Sequence, residues 1–429
     1  MNHELVLGLG GCVDYEIAWD SRVLEDLVTL YGLKAADLDA SVPVSDERSL
    51  VASVLAFIRD GVGGERFIAS SEIVEQFASR FTKRITLGGT CVRAAMAMEV
   101  LGVPATVHLV SIDDNVRRLL PRTVRYLSSA TRDTLDPHLI IQFPAGTAVR
   151  AGDIDIRAPH PNRIIYANDP PNRDLVLADD LPDALATADV FLVAGFNVMR
   201  DEAILRDRIA TLNVAIRRMP AGAVVLYEDA GFHDPGMRAI VRRDLTGSVD
   251  VHSMNEDEFQ HYVARSLDLL DVDQVVAALK ESVTFAVADT VVVHTKYWSL
   301  AYGDNAGPYR EALQGGIDLA STLYCYGDDF TLADYERVCA MPSHAGGRDF
   351  SQLLEARLGD AVCCVPAHPL DVPNPTTIGL GDTFVGGFVA ALSRTLRDDR
   401  EADPKTATNP TTSCLTLRPR EDSNLRPAD

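Results

Sequence analysis

Cysteine is sparse in this sequence and shows no pairing pattern. The chain has 7 cysteines, an odd number, and none of them form a Cys-x-x-Cys pair. Zinc motifs and disulfide frameworks both depend on regularly spaced cysteines, so neither is indicated. We expect reduced and mostly buried thiols. The cysteines are Cys12, Cys91, Cys325, Cys339, Cys363, Cys364 and Cys414.

Long apolar runs and net positive charge are lacking as well. No run approaches the roughly 18 apolar residues that span a bilayer, and no basic region followed by an apolar stretch begins the sequence, which predicts a cytoplasmic protein without a membrane partner. The chain carries 40 basic and 62 acidic side chains, a formal charge of -22. Such a charge repels a phosphate backbone, so nucleic-acid binding is not expected. An anionic small substrate would need local positive groups.

Short buried strands alternate with helical stretches along most of the chain. This alternation is typical of a doubly wound α/β fold, a parallel sheet with helices on both faces, and 429 residues allow two domains. Between residues 137 and 168 strands follow one another without a helix, which predicts an inserted β-rich lid. The strands predicted for the large sheet cover residues 4–9, 106–112, 191–195, 223–227, 249–252 and 290–294.

A glycine turn near the end of the sequence leads into a helix. Pro375 and Gly379 interrupt regular structure, and apolar and small residues recur with helical spacing from Phe384 onward. The first amides of a helix lack internal acceptors, so they can bind an anion. Asp382 beside them could act as a general base for an attacking hydroxyl group. It could equally serve only as the N-cap of the helix.

Acidic residues follow two of the predicted strands. Glu228 comes directly after one strand, and residues 255–258, Asn-Glu-Asp-Glu, follow the next and begin a helix. Oxygen ligands at strand ends near a phosphate site are what Mg²⁺ requires. The second group also fits a capping box, with Asn255 as the cap and Glu258 three residues later. Spacing alone favours the capping interpretation for that group.

Glycines near the first strand and after residue 85 mark two further turns. The first strand opens into a glycine-rich loop, and ligands collect at the carboxyl ends of parallel strands, so Asp14 is a candidate for binding hydroxyl groups. Gly88 and Gly89 precede a helix of small residues, and glycines let a ligand approach the backbone. The alternatives are a solvated loop for Asp14 and tight packing on the sheet for the helix.

Together these motifs resemble those of the ADP-dependent glucokinase and phosphofructokinase family, a branch of the ribokinase-like superfamily, over about residues 5–393. Residues 379–382, Gly-Leu-Gly-Asp, resemble the GxGD turn, which is the most specific motif. Residues 255–258 resemble the NxxE motif, and the Gly88 pair resembles the diglycine on the sugar side. Residues 158–165 are similar to the APxxNR segment of the lid, and residues 293–298 to the His-Thr strand end near the nucleotide.

The resemblance implies a large doubly wound domain, a smaller β-rich lid, and transfer of the β-phosphoryl group of ADP to a sugar hydroxyl, giving AMP. It implies Mg²⁺ as the cofactor and a sugar and a nucleotide as small-molecule partners. The implied site residues are Asp382 as general base with Gly379, Leu380 and Gly381 in the anion-binding turn; Asp14, Gly88, Gly89, Arg93 and Arg163 at the sugar; His294, Thr295, Asn255 and Ile378 at the nucleotide; and Glu228 and Glu258 at Mg²⁺.

Three departures from the family pattern leave the substrate open. Cys12 stands where archaeal members have Asn, and Leu226 stands where the HxE metal motif has His. Arg93 stands where a neutral polar residue would suit glucose, and an arginine there could bind a sugar phosphate or pair with a neighbouring acid. Glucose and fructose 6-phosphate both stay open. So do an ATP-dependent kinase of another alcohol and a sugar- or nucleotide-binding protein without turnover.

The predicted domains are discontinuous. Residues 394–429 mix charges with Thr, Pro and Asn and have little apolar periodicity, which predicts a disordered tail. The sequence does not predict an oligomeric state. The large α/β domain is expected to comprise residues 1–16, 45–135 and 170–393, and the lid residues 17–44 and 136–169.

Overall fold

The computed structural model describes residues 4–232, 234–304, 306–372 and 375–402. Its strands form a nine-stranded sheet, called the main sheet below, a five-stranded sheet, called the second sheet, and a two-stranded hairpin. In chain order the strands are β1 Glu4–Leu7, β2 Cys12–Ile17, β3 Gly64–Phe67, β4 Lys83–Gly88, β5 Thr106–Leu109, β6 Arg125–Ser128, β7 His138–Phe143, β8 Ala148–Ala151, β9 Ile154–Arg157, β10 Asn162–Ala167, β11 Ala188–Val193, β12 Val224–Glu228, β13 Val251–Asn255, β14 Thr290–His294, β15 Trp298–Tyr302 and β16 Val362–Pro366.

Helices separate most of these strands, and within the described residues none is long and apolar enough to cross a membrane. Several begin after an aspartate, such as Asp46, Asp113 or Asp201, whose carboxylate accepts a hydrogen bond from an amide of the first turn. Such caps satisfy amides that have no partner inside the helix. The helices are α1 Ser21–Tyr31, α2 Glu47–Asp60, α3 Ser71–Ala78, α4 Thr90–Val100, α5 Asp114–Leu119, α6 Pro170–Asp174, α7 Leu181–Leu185, α8 Glu202–Ile216, α9 Pro235–Leu245, α10 Glu256–Tyr262, α11 Val272–Glu281, α12 Arg310–Tyr326, α13 Leu332–Cys339, α14 Ala345–Leu358 and α15 Leu380–Ala402.

Parallel pairing dominates the main sheet. Its strand order is β16-β15-β14-β13-β12-β11-β1-β5-β6, and β15 pairs antiparallel with both of its neighbours. Successive residues of β11 pack into different apolar clusters, with Val190 and Leu192 on one face and Phe191 and Val193 on the other. Both faces are therefore covered, as a parallel sheet requires. The predicted α/β fold, a parallel sheet flanked by helices, is confirmed.

The second sheet takes strands from segments of both predicted domains. Its strand order is β3-β10-β7-β2-β4. Strands β7 and β10 lie inside residues 136–169, where the lid was expected, but β3 and β4 lie inside residues 45–135, which were assigned to the large domain, and β2 begins inside residues 1–16. Apolar spacing indicates an element but not the sheet that it joins, because cross-strand partners decide strand pairing.

Helix α15 packs closely against α12 and α4 through glycines. A side-chain carbon added to Gly387 would lie 2.1 Å from the carbonyl oxygen of Gly315, and one added to Gly386 would lie 2.8 Å from the carbonyl oxygen of Ala94. Non-bonded carbon and oxygen atoms do not approach that closely, so these contacts require glycine. The second turn of α15, which directly follows the turn that carries Asp382, is thus held between two neighbouring helices.

Helix α15 also corrects the predicted start of the tail. Residues 394–402 are helical, whereas a disordered tail was expected from residue 394 onward. Leu396 is buried in the apolar core one turn after Leu392, and the guanidinium of Arg400 makes an ion pair with Asp189. These few contacts continue the helix where composition alone indicated disorder. The remainder of the predicted tail, residues 403–429, lies outside the described residues.

Candidate active site

A cleft of about 260 Å³ lies between the second sheet and the carboxyl ends of three adjacent strands of the main sheet. The segments that follow β1, β11 and β12 contribute Gly10, Gly195 and Ala230. One face of the second sheet lines the cleft. Alternate residues of each strand point to that face. Its lining residues include Cys12 and Asp14 of β2, His138 and Ile140 of β7, and Arg163, Ile165 and Ala167 of β10.

The site residues predicted from the sequence fall into two groups. One group lines the cleft and consists of Asp14, Gly89, Arg93, Arg163, Ile378, Gly379 and Asp382. Gly88 lies directly behind this group, since a side-chain carbon there would be 2.5 Å from an oxygen of Asp14. The other group does not line the cleft and consists of Glu228, Asn255, Glu258, His294, Thr295, Leu380 and Gly381.

Two helix N-termini face the cleft. Helix α4 begins after Gly89, and α15 begins after Gly379; both glycines have positive φ, +92° and +75°. A side-chain carbon on Gly89 would lie 2.9 Å from the Cα atom of Gly11, so the loop after β1 packs directly on the start of α4. The amides of a first helical turn and the positive end of the helix dipole attract an anion. The cleft therefore suits a phosphoryl group.

Asp382 lies in the first turn of α15 rather than at its cap, because the helix begins at Leu380. Burial raises the pKa of its carboxyl group, while Arg93 and the hydroxyl group of Thr90 oppose that rise. The negative charges of Glu228 and Asp14 raise the pKa further. A carboxylate with a raised pKa accepts a proton more readily than an ordinary one, which is the property that a general base needs.

Arg93 is held by acids. Its Nη2 atom lies 2.9 Å from Oδ2 of Asp14 and 3.7 Å from an oxygen of Glu16, and its Nη1 atom lies 3.9 Å from Asp328. The side chain is only 10% exposed. Buried charges are normally paired in this way. The contacts therefore favour the alternative that Arg93 pairs with neighbouring acids over the alternative that it binds a sugar phosphate.

Asp14 is buried on a strand, which excludes the solvated-loop alternative. The thiol of Cys12 donates to Oδ1 of Asp14 at 3.3 Å, and Nδ1 of His138 lies 3.9 Å from the same oxygen. Neither Cys12 nor His138 was predicted as a site residue. Alternation along β2 could have identified Cys12, two residues before Asp14. His138 carries no such signal, because β7 pairs with β2 across more than a hundred residues.

Glu228 is the last residue of β12, and Glu258 lies in the first turn of α10, directly after β13. Oε1 of Glu228 lies 3.2 Å from Nε2 of His294, and its buried Oε2 has no hydrogen-bond partner within the described part of the chain. Burial and then the charge of Glu228 raise the pKa of Glu258 to about 8. A buried carboxylate oxygen without a partner is costly unless a cation binds it. These donors fit a divalent cation that prefers oxygen ligands.

Asn255 forms the capping box that the spacing favoured. Its Oδ1 accepts hydrogen bonds from the amides of Asp257 and Glu258 at 2.8 and 2.9 Å, and Oε2 of Glu258 accepts one from the amide of Asn255 at 2.9 Å. The capping interpretation is confirmed for this group. It does not exclude a ligand, because the other carboxylate oxygen of Glu258 lies outside the box.

The remaining predicted residues have other contacts. The ring of His294 stacks on Phe384 at 4.3 Å between centroids and thus connects Glu228 with α15. The hydroxyl oxygen of Thr295 accepts hydrogen bonds from the amides of Tyr297 and Trp298, which makes it part of a turn. Leu380 packs its side chain into an apolar cluster with Leu319 and others. Only the backbone of Leu380 is thus available to a ligand.

A known protein family and several solved structures are similar to this chain. The family model described as "ADP-specific Phosphofructokinase/Glucokinase conserved region" matches residues 3–389. A structure of a phosphofructokinase from Pyrococcus horikoshii OT3 with AMP has a TM-score of 0.75 at 15% identity and covers 92% of this chain and 99% of its own. No curated protein sequence matches.

Two further solved structures have similar folds. A last common ancestor of ADP-dependent phosphofructokinases from Methanosarcinales has a TM-score of 0.71 at 16% identity, with 91% of this chain and 94% of that chain covered. An ADP-dependent kinase in complex with fructose-6-phosphate and ADPbetaS has a TM-score of 0.65 at 16% identity and the same coverage. At such identities the likeness concerns the fold, and the predicted ribokinase-like fold is confirmed.

Proposed function

Because the chain belongs to the ADP-specific phosphofructokinase/glucokinase family, we propose that it transfers the β-phosphoryl group of ADP to a hexose in the cleft and releases AMP. Membership makes it an ADP-dependent sugar kinase, a phosphotransferase with an alcohol acceptor. The observation that carries the proposal is that Asp382, the start of α4 and the start of α15 face the same cleft as Asp14 and Arg163. A base, an anion site and polar groups for a sugar thus meet in one place.

In the proposed reaction Asp382 takes the proton of the attacking sugar hydroxyl. The hydroxyl oxygen forms a bond to the β-phosphorus while the bond from that phosphorus to the bridging oxygen breaks, and AMP leaves with that oxygen. Phosphoryl transfer depends chiefly on positioning and electrostatic stabilisation. The positive dipole ends of α15 and α4, which begin after Gly379 and Gly89 at the cleft, would stabilise the negative charge on the group in transfer.

Mg²⁺ is part of the proposal. Glu228 and Glu258 would hold it, and the unpartnered Oε2 of Glu228 supports this assignment. Bound there, the ion would neutralise charge on the phosphate oxygens. Asn255 would act by positioning Glu258 through the capping box, since its own side-chain oxygen already accepts two hydrogen bonds. A cytoplasmic location and the nucleotide role of the His294 region stay predictions.

We propose fructose 6-phosphate as the acceptor. Arg163 of β10 lines the cleft, and no ion pair joins it to another described residue, so its positive charge is available to a sugar phosphate. Arg66, which also lines the cleft, donates to the carbonyl oxygens of Ser41 and Val42 at 3.0 Å and is thus already engaged. The solved kinase complex with fructose-6-phosphate supports the same acceptor.

Glucose is a second candidate because a carboxylate also lines the cleft. Glu65 of β3 is a neighbour of Arg66 on the second sheet. A carboxylate can accept hydrogen bonds from sugar hydroxyls but repels a phosphate. Glu65 and Arg163 therefore favour different acceptors, and their net effect decides between the two sugars.

The test is a comparison of donors and acceptors. Purified protein with Mg²⁺ is incubated with ADP or ATP and with fructose 6-phosphate or glucose, and AMP and ADP are quantified by chromatography. We expect AMP from ADP, with fructose 6-phosphate as the better acceptor. Faster AMP formation with glucose would transfer the assignment to glucose. Consumption of ATP without any AMP formation from ADP would contradict the proposed donor.

A further inference from the structure

Three side chains with different donor atoms converge on the second-sheet side of the cleft. The thiol of Cys12, a carboxylate oxygen of Asp14 and an imidazole nitrogen of His138 all lie within 4.8 Å of one another. They come from adjacent strands, since Asp14 pairs in register with His138, and all three line the cleft. The cleft gives an ion from solvent a path to this group, which we call the thiol cluster.

A second layer of contacts orients the thiol cluster. Nε2 of His138 lies 3.0 Å from Oδ2 of Asp169, which directs the other ring nitrogen toward Asp14. Asp169 in turn accepts hydrogen bonds from the amide and the side chain of Asn172 at 3.0 and 2.7 Å. An imidazole held by a carboxylate through its outer nitrogen is the usual arrangement of a metal-binding histidine.

One oxygen of Asp14 faces the other two donor atoms of the thiol cluster, and Gly88 leaves space beside it. Oδ2 of Asp14 is occupied by the guanidinium of Arg93 at 2.9 Å, so Oδ1 is the oxygen directed to Cys12 and His138. A side-chain carbon on Gly88 would lie 2.7 Å from the sulfur of Cys12 and equally close to Oδ1. The space around the three donor atoms therefore exists only because residue 88 is glycine.

We propose that Cys12, Asp14 and His138 bind a zinc-class divalent cation, with the fourth coordination position open to the cleft. One sulfur, one nitrogen and one oxygen donor form a mixed set that Zn²⁺ accepts and Mg²⁺ does not. The ion replaces the thiol proton that Cys12 now donates to Asp14, and that proton passes to solvent. This site is separate from the carboxylates Glu228 and Glu258, whose donors are oxygen atoms only.

The ion would block sugar binding, a consequence that rests on the proposed function. Asp14 is the residue proposed to bind sugar hydroxyls, and an ion on Oδ1 removes that acceptor. Zn²⁺ and the acceptor sugar therefore compete. The ion site itself depends only on the three side chains and is independent of which reaction the cleft performs.

The test uses the whole protein without sugar or nucleotide. Metal-free protein is titrated with Zn²⁺ by calorimetry, and Cys12→Ser is compared with the matched control Cys339→Ser. Cys339 also donates its thiol to a carboxylate, that of Asp318 at 3.5 Å, but it lies outside the cleft. We expect one ion per chain in the wild type and in Cys339→Ser, and binding weakened by about tenfold or more in Cys12→Ser. Equal binding by wild type and Cys12→Ser would overturn the proposal.

A second measurement keeps the proposal testable if Cys12→Ser fails to fold. Co²⁺ added to the wild type is expected to give the near-ultraviolet absorption of a thiolate-to-cobalt charge transfer, and Zn²⁺ should remove it. Absence of that absorption would contradict ligation by Cys12. Adding fructose 6-phosphate should weaken Zn²⁺ binding, and unchanged binding would contradict competition. Since the first two measurements need no turnover, a negative kinase assay leaves their result for the ion site unaffected.

Discussion

Arg93 makes ion pairs with several acidic side chains in and beside the cleft. It makes a 2.9 Å ion pair with Asp14, and its charge also opposes the raised pKa of Asp382. The sequence identified the position as unusual but left its partner open, because the pairing brings together residues 79 positions apart. Asp382 and Asp14 were predicted from local patterns and Arg163 from the family resemblance, and all three line the cleft. The contacts of each side chain were not predictable, because they depend on how the two sheets meet.

Replacing Arg93 should change the pH dependence of turnover. As the proposed base, Asp382 would work only when ionised, so activity should fall as the pH drops through its raised pKa. Arg93→Gln removes a positive charge that lowers this pKa, so the acid limb of kcat/KM should move to higher pH. Arg93→Lys keeps the charge and should leave the limb close to that of the wild type. If the acid limb lies at the same pH in Arg93→Gln and in the wild type, the charge of Arg93 does not lower the pKa of the group that limits activity.

Arg163 should determine recognition of the phosphorylated acceptor. Arg163→Met removes a charged donor worth about 1.5–3 kcal/mol, so KM for fructose 6-phosphate should rise about tenfold or more while KM for glucose changes little. The control is Arg157→Met on β9, since Arg157 is exposed and does not line the cleft. Steady-state kinetics with both sugars make the comparison. Equal effects of Arg163→Met on the two sugars would contradict a phosphate contact.

At the scale of elements, the packing of α15 on α12 and α4 fixes the helix that carries Asp382, the proposed base. The sequence indicated this helix from the small and apolar residues after Gly379, but its extension to Ala402 depends on Leu396 and Arg400 meeting distant partners. Six of the nine strands of the main sheet were predicted from short buried runs, whereas β6, β15 and β16 were not. The membership of β3 and β4 in the second sheet was not predictable, because cross-strand partners decide which strands pair and the sequence of one segment does not name its partners.

Gly387 should be sensitive to any side chain. In Gly387→Ala the new carbon would meet the backbone of Gly315, which can move only with its helix, so the free energy of unfolding should fall by about 1–3 kcal/mol. Gly307→Ala is the control, since nothing lies within 4 Å of a carbon added there. Urea unfolding followed by circular dichroism measures both variants. A Gly387→Ala variant as stable as the wild type would mean that the two helices do not pack as described.

At the scale of the whole molecule, the cleft exists because the second sheet faces the carboxyl ends of the main sheet. The chain has a formal charge of -22, and such a charge by itself would repel a nucleotide and a sugar phosphate. Two helix N-termini and Arg163 supply the local positive potential that such substrates need. The motifs predicted residues that line this cleft. These residues come together because the two sheets face each other, and no local sequence pattern encodes that arrangement.

The most direct test of the central claim is AMP formation by Asp382→Asn, a variant of nearly the same shape that cannot act as a carboxylate base. General-base catalysis contributes about 10²–10⁴-fold, so kcat for AMP formation from ADP should fall by that factor while binding of the sugar, measured by calorimetry, is retained. Turnover by Asp382→Asn within a few-fold of the wild type would contradict the assignment of Asp382 as the base that drives phosphoryl transfer in this cleft.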